Sequence, residues 1–130
     1  MRAGVCNVLF VALVWALGCG GGEPLRVTAV DLGRSLNSDN SVGVHTTRFK
    51  PDQTIYASVH TTGSGSAAMV ARWLYSGRMV SETKKDVSYT REAATEFHIQ
   101  NPSGFPPGEY TVEIVVNGEK VDAKEFRVEK

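Results

Sequence analysis

The chain is predicted to be all-β, a single antiparallel two-sheet sandwich of about seven strands that follows an N-terminal export segment. Three observations predict it. Apolar residues alternate with polar ones in short runs separated by turn residues, most clearly in Pro106 to Val128, PPGEYTVEIVVNGEKVDAKEFRV, which is the period of a strand with one buried face. No helical periodicity follows residue 24. One tryptophan, Trp73, falls in the third run, where a two-sheet core of this size needs bulk at its centre.

The chain opens with MRAGVCNVLFVALVWALGC. Arg2 supplies a positive charge, and the apolar run from Val5 to Leu17 is too short to span a bilayer comfortably, so the segment reads as a signal peptide over residues 1–18. Its end, Ala16-Leu17-Gly18-Cys19, resembles the lipobox of bacterial lipoproteins, with Ala16 where members of that class more often carry Leu. The resemblance implies lipidation of the Cys19 thiol and attachment to a membrane; the same residues also satisfy an ordinary secretory cleavage rule, which would leave Cys19 a bare thiol. Cys6 lies in the part to be removed, so no disulfide framework exists in the mature chain. Gly20-Gly21-Gly22-Glu23-Pro24 completes a tether over residues 19–24. These five residues reach at most about 18 Å. Gly20, rather than Asp, follows Cys19, and by the sorting rule of many lipoproteins this implies the outer membrane of a bacterial cell envelope.

Residues 25–130 form the domain. Fourteen Lys and Arg balance fourteen Asp and Glu, interleaved rather than blocked, so no nucleic-acid partner is expected. Roughly a hundred residues suffice for one domain held by its core without disulfides. Leu25 to Leu32 is a first strand with imperfect alternation. Gly33 to His45, rich in Ser, Asn and Gly, is a long polar connection, and Phe49-Lys50-Pro51-Asp52 a turn. Gln53 to His60 is the second strand, with Ile55, Ala57 and Val59 facing in. Thr61 to Ser66 is a loop of small residues; its Gly-Ser repeats lack the spacing and Lys of a phosphate loop. Ala68 to Tyr75 is the third strand, with Met69, Ala71, Trp73 and Tyr75 on the buried face. Ser76-Gly77 turns into the fourth, Arg78 to Val87. Asp86 to Glu92 connects to a fifth, Ala94 to Gln100, with Thr95, Phe97 and Ile99 inside. Asn101 to Gly108 is a Pro- and Gly-rich corner. Tyr110 to Val116 is the sixth strand, and Asn117-Gly118 supplies the two positive-φ positions of a type I′ turn. In the seventh, Val116 should face Glu119, Ile114 face Val121 and Val112 face Ala123. Phe126 and Val128 are out of phase with that register, which predicts a β-bulge near Lys124 or Glu125.

Three motifs, F-x-P-D-x-T-I-Y (Phe49 to Tyr56), R-W-x-Y-x-G (Arg72 to Gly77) and P-x-G-x-Y-x-V-x-x-x-x-N-G (Pro106 to Gly118), are similar to those of immunoglobulin-like and fibronectin type III-like domains of bacterial envelope lipoproteins. The resemblance covers residues 25–130 and implies an immunoglobulin-like β-sandwich. It further implies that Tyr110 is a tyrosine-corner residue, its hydroxyl bonded to the chain just upstream. The paired cysteines of antibody domains are absent.

Chemistry is sparse. His60, His98, Met69 and Met79 are soft or borderline metal ligands, but if their strands are antiparallel neighbours the two histidines lie on the order of 13 Å apart, and Met69 faces the core; no metal site and no cofactor are expected. No catalytic residue is identified, and short turns leave little chain to build a water-excluding pocket. The expected function is therefore non-catalytic, a membrane-anchored binding or adaptor domain for another envelope protein, with an exported carrier of a small ligand or metal as the second reading. The first strand should begin at the end of the sandwich that holds the Thr61 to Ser66 loop and the Asn117-Gly118 turn. The opposite end would carry the Gly33 to Lys50 connection and the corner at 101–108, with Arg48, Arg78 and Phe105 as candidate partner contacts; Phe105 could equally plug the core. If Trp73 occupies the centre, Trp73→Ala lowers unfolding free energy by about 3 to 5 kcal/mol in urea denaturation.

Overall fold

A computed structural model describes residues 22–130; the expected export segment, Cys6 and Cys19 lie outside the described residues. Eight strands and no helix are found there: β1 (Arg26–Gly33), β2 (Arg48–Phe49), β3 (Ile55–Thr62), β4 (Gly65–Tyr75), β5 (Arg78–Tyr89), β6 (Ala93–Ile99), β7 (Gly108–Val116) and β8 (Glu119–Val128). They form two layers, a three-stranded sheet in the order β1-β3-β6 and a five-stranded sheet in the order β2-β8-β7-β4-β5. All pairings are antiparallel except β2 with β8. This is an immunoglobulin-like β-sandwich, with β3, β4 and β7 as the central strands of its two faces.

The alternation seen in sequence buries as expected on β3, β4, β6 and β7. Ile55, Ala57, Val59, Met69, Ala71, Trp73, Val112 and Ile114 are wholly inaccessible. Trp73 packs edge-on against Phe126 at 6.0 Å between ring centroids, while its buried Nε1–H has no acceptor, a cost of about 1 to 3 kcal/mol that the burial of the ring offsets. Tyr110 is 2% exposed and donates its hydroxyl to the Pro106 carbonyl at 2.6 Å, which closes the tyrosine corner.

Five expectations are corrected. The hairpin turn at Asn117-Gly118 does set Val116 opposite Glu119, but the register shifts immediately, so Val115 pairs with Lys120 and Ile114 with Asp122. Val121 is thus the extra residue, and the bulge lies beside the turn rather than at Lys124 or Glu125. Val121 is 44% exposed and Ala123 is also exposed. Lys124, opposite Val112, takes the inner side where the facing sheet no longer covers β8, and borders a shallow cleft with Val30 and Leu32.

Phe49, read as part of a turn, instead enters β2, is 2% exposed and packs on Phe126 at 5.5 Å; the turn starts at Lys50, whose carbonyl accepts from Gln53 N–H. The connection from Gly33 to His45 is not simply an end loop. It doubles back through backbone bonds between Arg34 and Val44, Ser35 and Gly43, and Asn37 and Ser41, buries Val42, and lays Asn40 over the outer face of the three-stranded sheet. There the Asn40 carbonyl accepts from Ser58 Oγ at 2.7 Å. Asp39 fixes the tip, its carboxylate accepting from the hydroxyl and backbone N–H of Ser41, and these bonds hold it below its ordinary pKa.

The small-residue loop shrinks to Gly63-Ser64, since β3 runs to Thr62 and β4 starts at Gly65. A side chain at Gly63, where φ is +84°, would meet the Pro24 carbonyl oxygen at 2.2 Å. Pro24 bridges to Ser64 and Glu23 accepts from Ser64 N–H, so the base of the tether is sewn to this end of the sandwich. β5 extends past Val87 to Tyr89, whose hydroxyl shares a hydrogen bond with Thr95 at 2.8 Å.

Burial, helped by the nearby Tyr75, pushes the Tyr110 hydroxyl up to about 12 from 10.0. The folded state therefore holds the proton more tightly than the unfolded chain. The stability linked to it is complete below pH 10 and lost as pH rises from 10 through about 12. Tyr110→Phe should cost about 1 to 2 kcal/mol at neutral pH, by leaving the Pro106 carbonyl unpaired. In chemical denaturation the gap to the unmodified protein should narrow across that alkaline window.

Candidate functional site

The end of the sandwich away from Pro24 is built from the Ser76-Gly77 turn, the Lys50 to Gln53 turn and the corner at 101–108. Ser76 and Gly77 both take positive φ, 50° and 84°, the geometry that matches the right-handed twist of the flanking strands. Tyr75 donates to the Pro107 carbonyl at 2.9 Å, Ser76 N–H to Glu109, and Phe105 N–H to the Pro51 carbonyl at 2.8 Å. These bonds tie three loops into one rim.

The three candidate contacts are not gathered on it. Phe105 is 7% exposed and packs edge-on to Tyr110 at 6.1 Å; it closes the open end of the core and presents little surface. Arg48 and Arg78 are exposed but stand on β2 and β5, the opposite edges of the five-stranded sheet. Four strand spacings separate those edges, about 19 Å.

What the rim does gather was not legible beforehand. A cleft of about 530 Å³ opens between the start of β5 and the end of β6, with Tyr75, Phe105 and Tyr110 as an aromatic floor and Val80, His98 and Asn101 among its walls. Beside it, Lys85 of β5 reaches across to β6. Its ammonium donates to the Glu96 backbone carbonyl and lies 3.2 Å from the Glu96 carboxylate and 5.1 Å from the centre of the Phe97 ring. His98 meets the same carboxylate through Nδ1. Burial raises the Glu96 carboxyl, but the hydrogen bonds from His98 and Lys85 outweigh it and hold the group below its ordinary pKa. The one sequence clue was parity, since Lys85 falls on the inward set with Ser81, Thr83, Val87 and Tyr89.

Two arrangements that invite a chemical reading do not support one. Ser58, His60 and Asp31 meet on the outer face of the three-stranded sheet, but Asp31 Oδ2 at 3.1 Å and Ser58 Oγ at 3.5 Å both address the same ring nitrogen, His60 Nε2. A nucleophilic relay needs the carboxylate on one nitrogen and the hydroxyl on the other, and Ser58 is wholly buried and already bonded to Asn40. Likewise His98 pairs with Tyr56, four positions from His60. Met69 is buried, and Met79 is 57% exposed on the other sheet, so the four soft ligands stay apart. Among the described residues no three His, Cys, Asp or Glu side chains converge as a metal site.

No family profile matches the chain, and none of the curated proteins is similar to it in sequence. Solved structures are similar in fold. An immunoglobulin-like protein from Pseudomonas aeruginosa is 14% identical with a TM-score of 0.52, over 82% of this chain and 98% of that one. The Pseudomonas fluorescens alkylpurine DNA glycosylase AlkC, bound to DNA containing an abasic site analogue, is 14% identical with a TM-score of 0.54, over 82% of this chain and 30% of that one. A β-glucosidase from Listeria innocua in complex with glucose is 12% identical with a TM-score of 0.51, over 84% of this chain and 16% of that one. The chain thus spans less than a third of either enzyme, and at these identities the likeness is one of fold.

Removing the Phe105 ring should destabilise the domain whatever its partner. Phe105→Ala is expected to cost about 3 to 5 kcal/mol, against less than about 0.5 kcal/mol for Arg48→Ala or Arg78→Ala, measured by urea denaturation.

Proposed function

Starting from an immunoglobulin-like sandwich, we propose that the chain is a bacterial envelope lipoprotein, anchored through a lipid on Cys19, whose domain is a non-catalytic adaptor for another envelope protein. The observation that carries this reading is the attachment of Pro24 to Ser64. The short tether leaves the domain at one end, and the rim of turns lies at the other. A lipid at Cys19 would hold the first end near its membrane, within the about 18 Å that five residues reach. The rim and the two sheet edges would then face a partner, and Gly20 favours the outer membrane as the site. Arg48 and Arg78 act in this reading as separate contacts on the two edges, and Phe105 supports the rim from beneath.

A second reading, an exported carrier of a small ligand, is favoured by the aromatic-floored cleft, whose about 530 Å³ falls within the usual range of ligand pockets. A ligand that binds only the folded state raises the melting temperature, whereas an adaptor without one melts unchanged across a ligand panel.

Intact mass of the protein purified from its host's membranes tests the anchor. A diacylglycerol increment on the wild type, absent from Cys19→Ser, is expected; a soluble wild type with an unmodified thiol removes the anchor and the orientation drawn from it. With the anchor in place, Arg48→Glu and Arg78→Glu should each reduce crosslinking to the envelope partner several-fold without lowering the melting temperature.

A further inference from the structure

β5 ends the five-stranded sheet, and its twelve residues pair on one side only. Such an edge offers a row of unpaired backbone groups to any strand that can lie beside it. The opposite edge is guarded: β2 covers Arg127 and Val128 of β8, and the remainder carries the Val121 bulge and turns Lys124 inward. β5 has a bulge near its start, where Val80 is skipped between Met79 and Ser81, but from Ser81 to Tyr89 it is regular. Its inner-face lysine, Lys85, is drawn to Glu96 and Phe97, towards the facing sheet. On its outer face stand Glu82, Lys84 and Asp86, all exposed, with alternating sign.

We propose that β5 pairs antiparallel with β5 of a second copy, about a twofold axis at Thr83. The register follows from side-chain faces and charge. Residues opposite one another share a sheet face, so the axis must pass through a residue, and the axis residue decides which charges meet. An axis at Glu82 or Lys84 sets that charge against itself. An axis at Ser81 sets Glu82 and Lys84 against the bulged start of the strand and pairs no opposite charges. An axis at Lys85 opposes the two Lys85 ammonium groups, and one at Asp86 opposes the two carboxylates. With the axis at Thr83, Glu82 faces Lys84 of the partner and Lys84 faces the partner's Glu82, while Ser81 faces Lys85; beyond Ser81 the Val80 bulge breaks the alternation of faces and ends the regular pairing. It is the register that pairs opposite charges and opposes none alike. The two five-stranded sheets join into one of ten strands.

The pairing does not depend on the lipid anchor. Because paired strands run oppositely, the two Pro24 ends lie at opposite ends of the dimer. Two anchored copies would therefore meet from facing membrane surfaces rather than side by side on one.

Residues 22–130 serve for the test, since among the described residues every buried core residue lies between Val30 and Val128, and this segment has no cysteine. Sedimentation should show a weak, reversible dimer, as expected for an interface under about 1,200 Å². Lys84→Glu and Glu82→Lys should each weaken it by about tenfold or more, and an equimolar mixture of the two variants should restore association, since both pairs between positions 82 and 84 are then of opposite sign. Oxidised Thr83→Cys should form a disulfide dimer, because antiparallel partners have Cα atoms about 4.5 to 5.5 Å apart; Ser88→Cys, five residues from the axis and so far from its own counterpart, should not. A wild type that stays monomeric up to about 1 mM, variants that dimerise like wild type, or a mixture no better than its components would overturn the proposal. Should Glu82→Lys not fold, having lost its bond to Arg72, the comparison of Thr83→Cys with Ser88→Cys decides alone.

Discussion

The placement of one extra residue, Val121, governs this sandwich. Without it the register set at Asn117-Gly118 would carry through β8 and leave Phe126 and Val128 facing solvent, since a one-residue slip exchanges the two faces of a strand. With it, Phe126 turns inward and becomes the ring on which the others meet: Phe49 at 5.5 Å, Trp73 at 6.0 Å and Tyr110 stacked at 5.3 Å. β2 then zips onto the end of β8 through Arg127 N–H to Thr47 and Glu129 N–H to Phe49, which seals Phe49 inside. A chain without disulfides in its domain depends on such a cluster, because burial of apolar area supplies most of its stabilisation.

The two ends of the molecule differ in kind. At the Pro24 end, backbone meets backbone so closely that Gly63 admits no side chain, and the entering chain is held rather than trailing. At the far end, hydrogen bonds from Tyr75, Tyr110 and Phe105 to loop carbonyls fix the corner at 101–108 over an aromatic floor. Along the open side, Lys85, Glu96 and His98 clasp the sheets where β5 and β6 share no ladder. This polar clasp is half-exposed, so its contribution is modest and screened. Its geometric effect is to turn Lys85 away from the β5 edge.

Much of the candidate site could not be read from residue order. Phe105 carried two readings, a partner contact and a plug for the open end of the core, and its burial shows the plug; Pro- and Gly-rich corners are exposed as backbone, not necessarily at every side chain. Arg48 and Arg78 were both placed at one end of the sandwich, but sheet order sets them on opposite edges. Ser58, on the outward set of β3, is buried because the connection at 34–45 folds over it. In each case a non-local contact, absent from any local pattern, decided exposure.

The sequence by itself determined the class of fold, the inward set on β3, β4, β6 and β7, the tyrosine corner and the existence of a phase slip before Phe126. These follow from local period, turn chemistry and side-chain size, which act over a few residues. The four-position offset of the histidines followed from sequence only once β3 and β6 were antiparallel neighbours, which the sheet order supplies. Tertiary structure alone decided where the slip falls, that Phe49 forms a strand parallel to β8, and which edge of the larger sheet is left open. Those outcomes depend on which surfaces the facing layer covers, a property of the assembled sandwich and of no single stretch of chain.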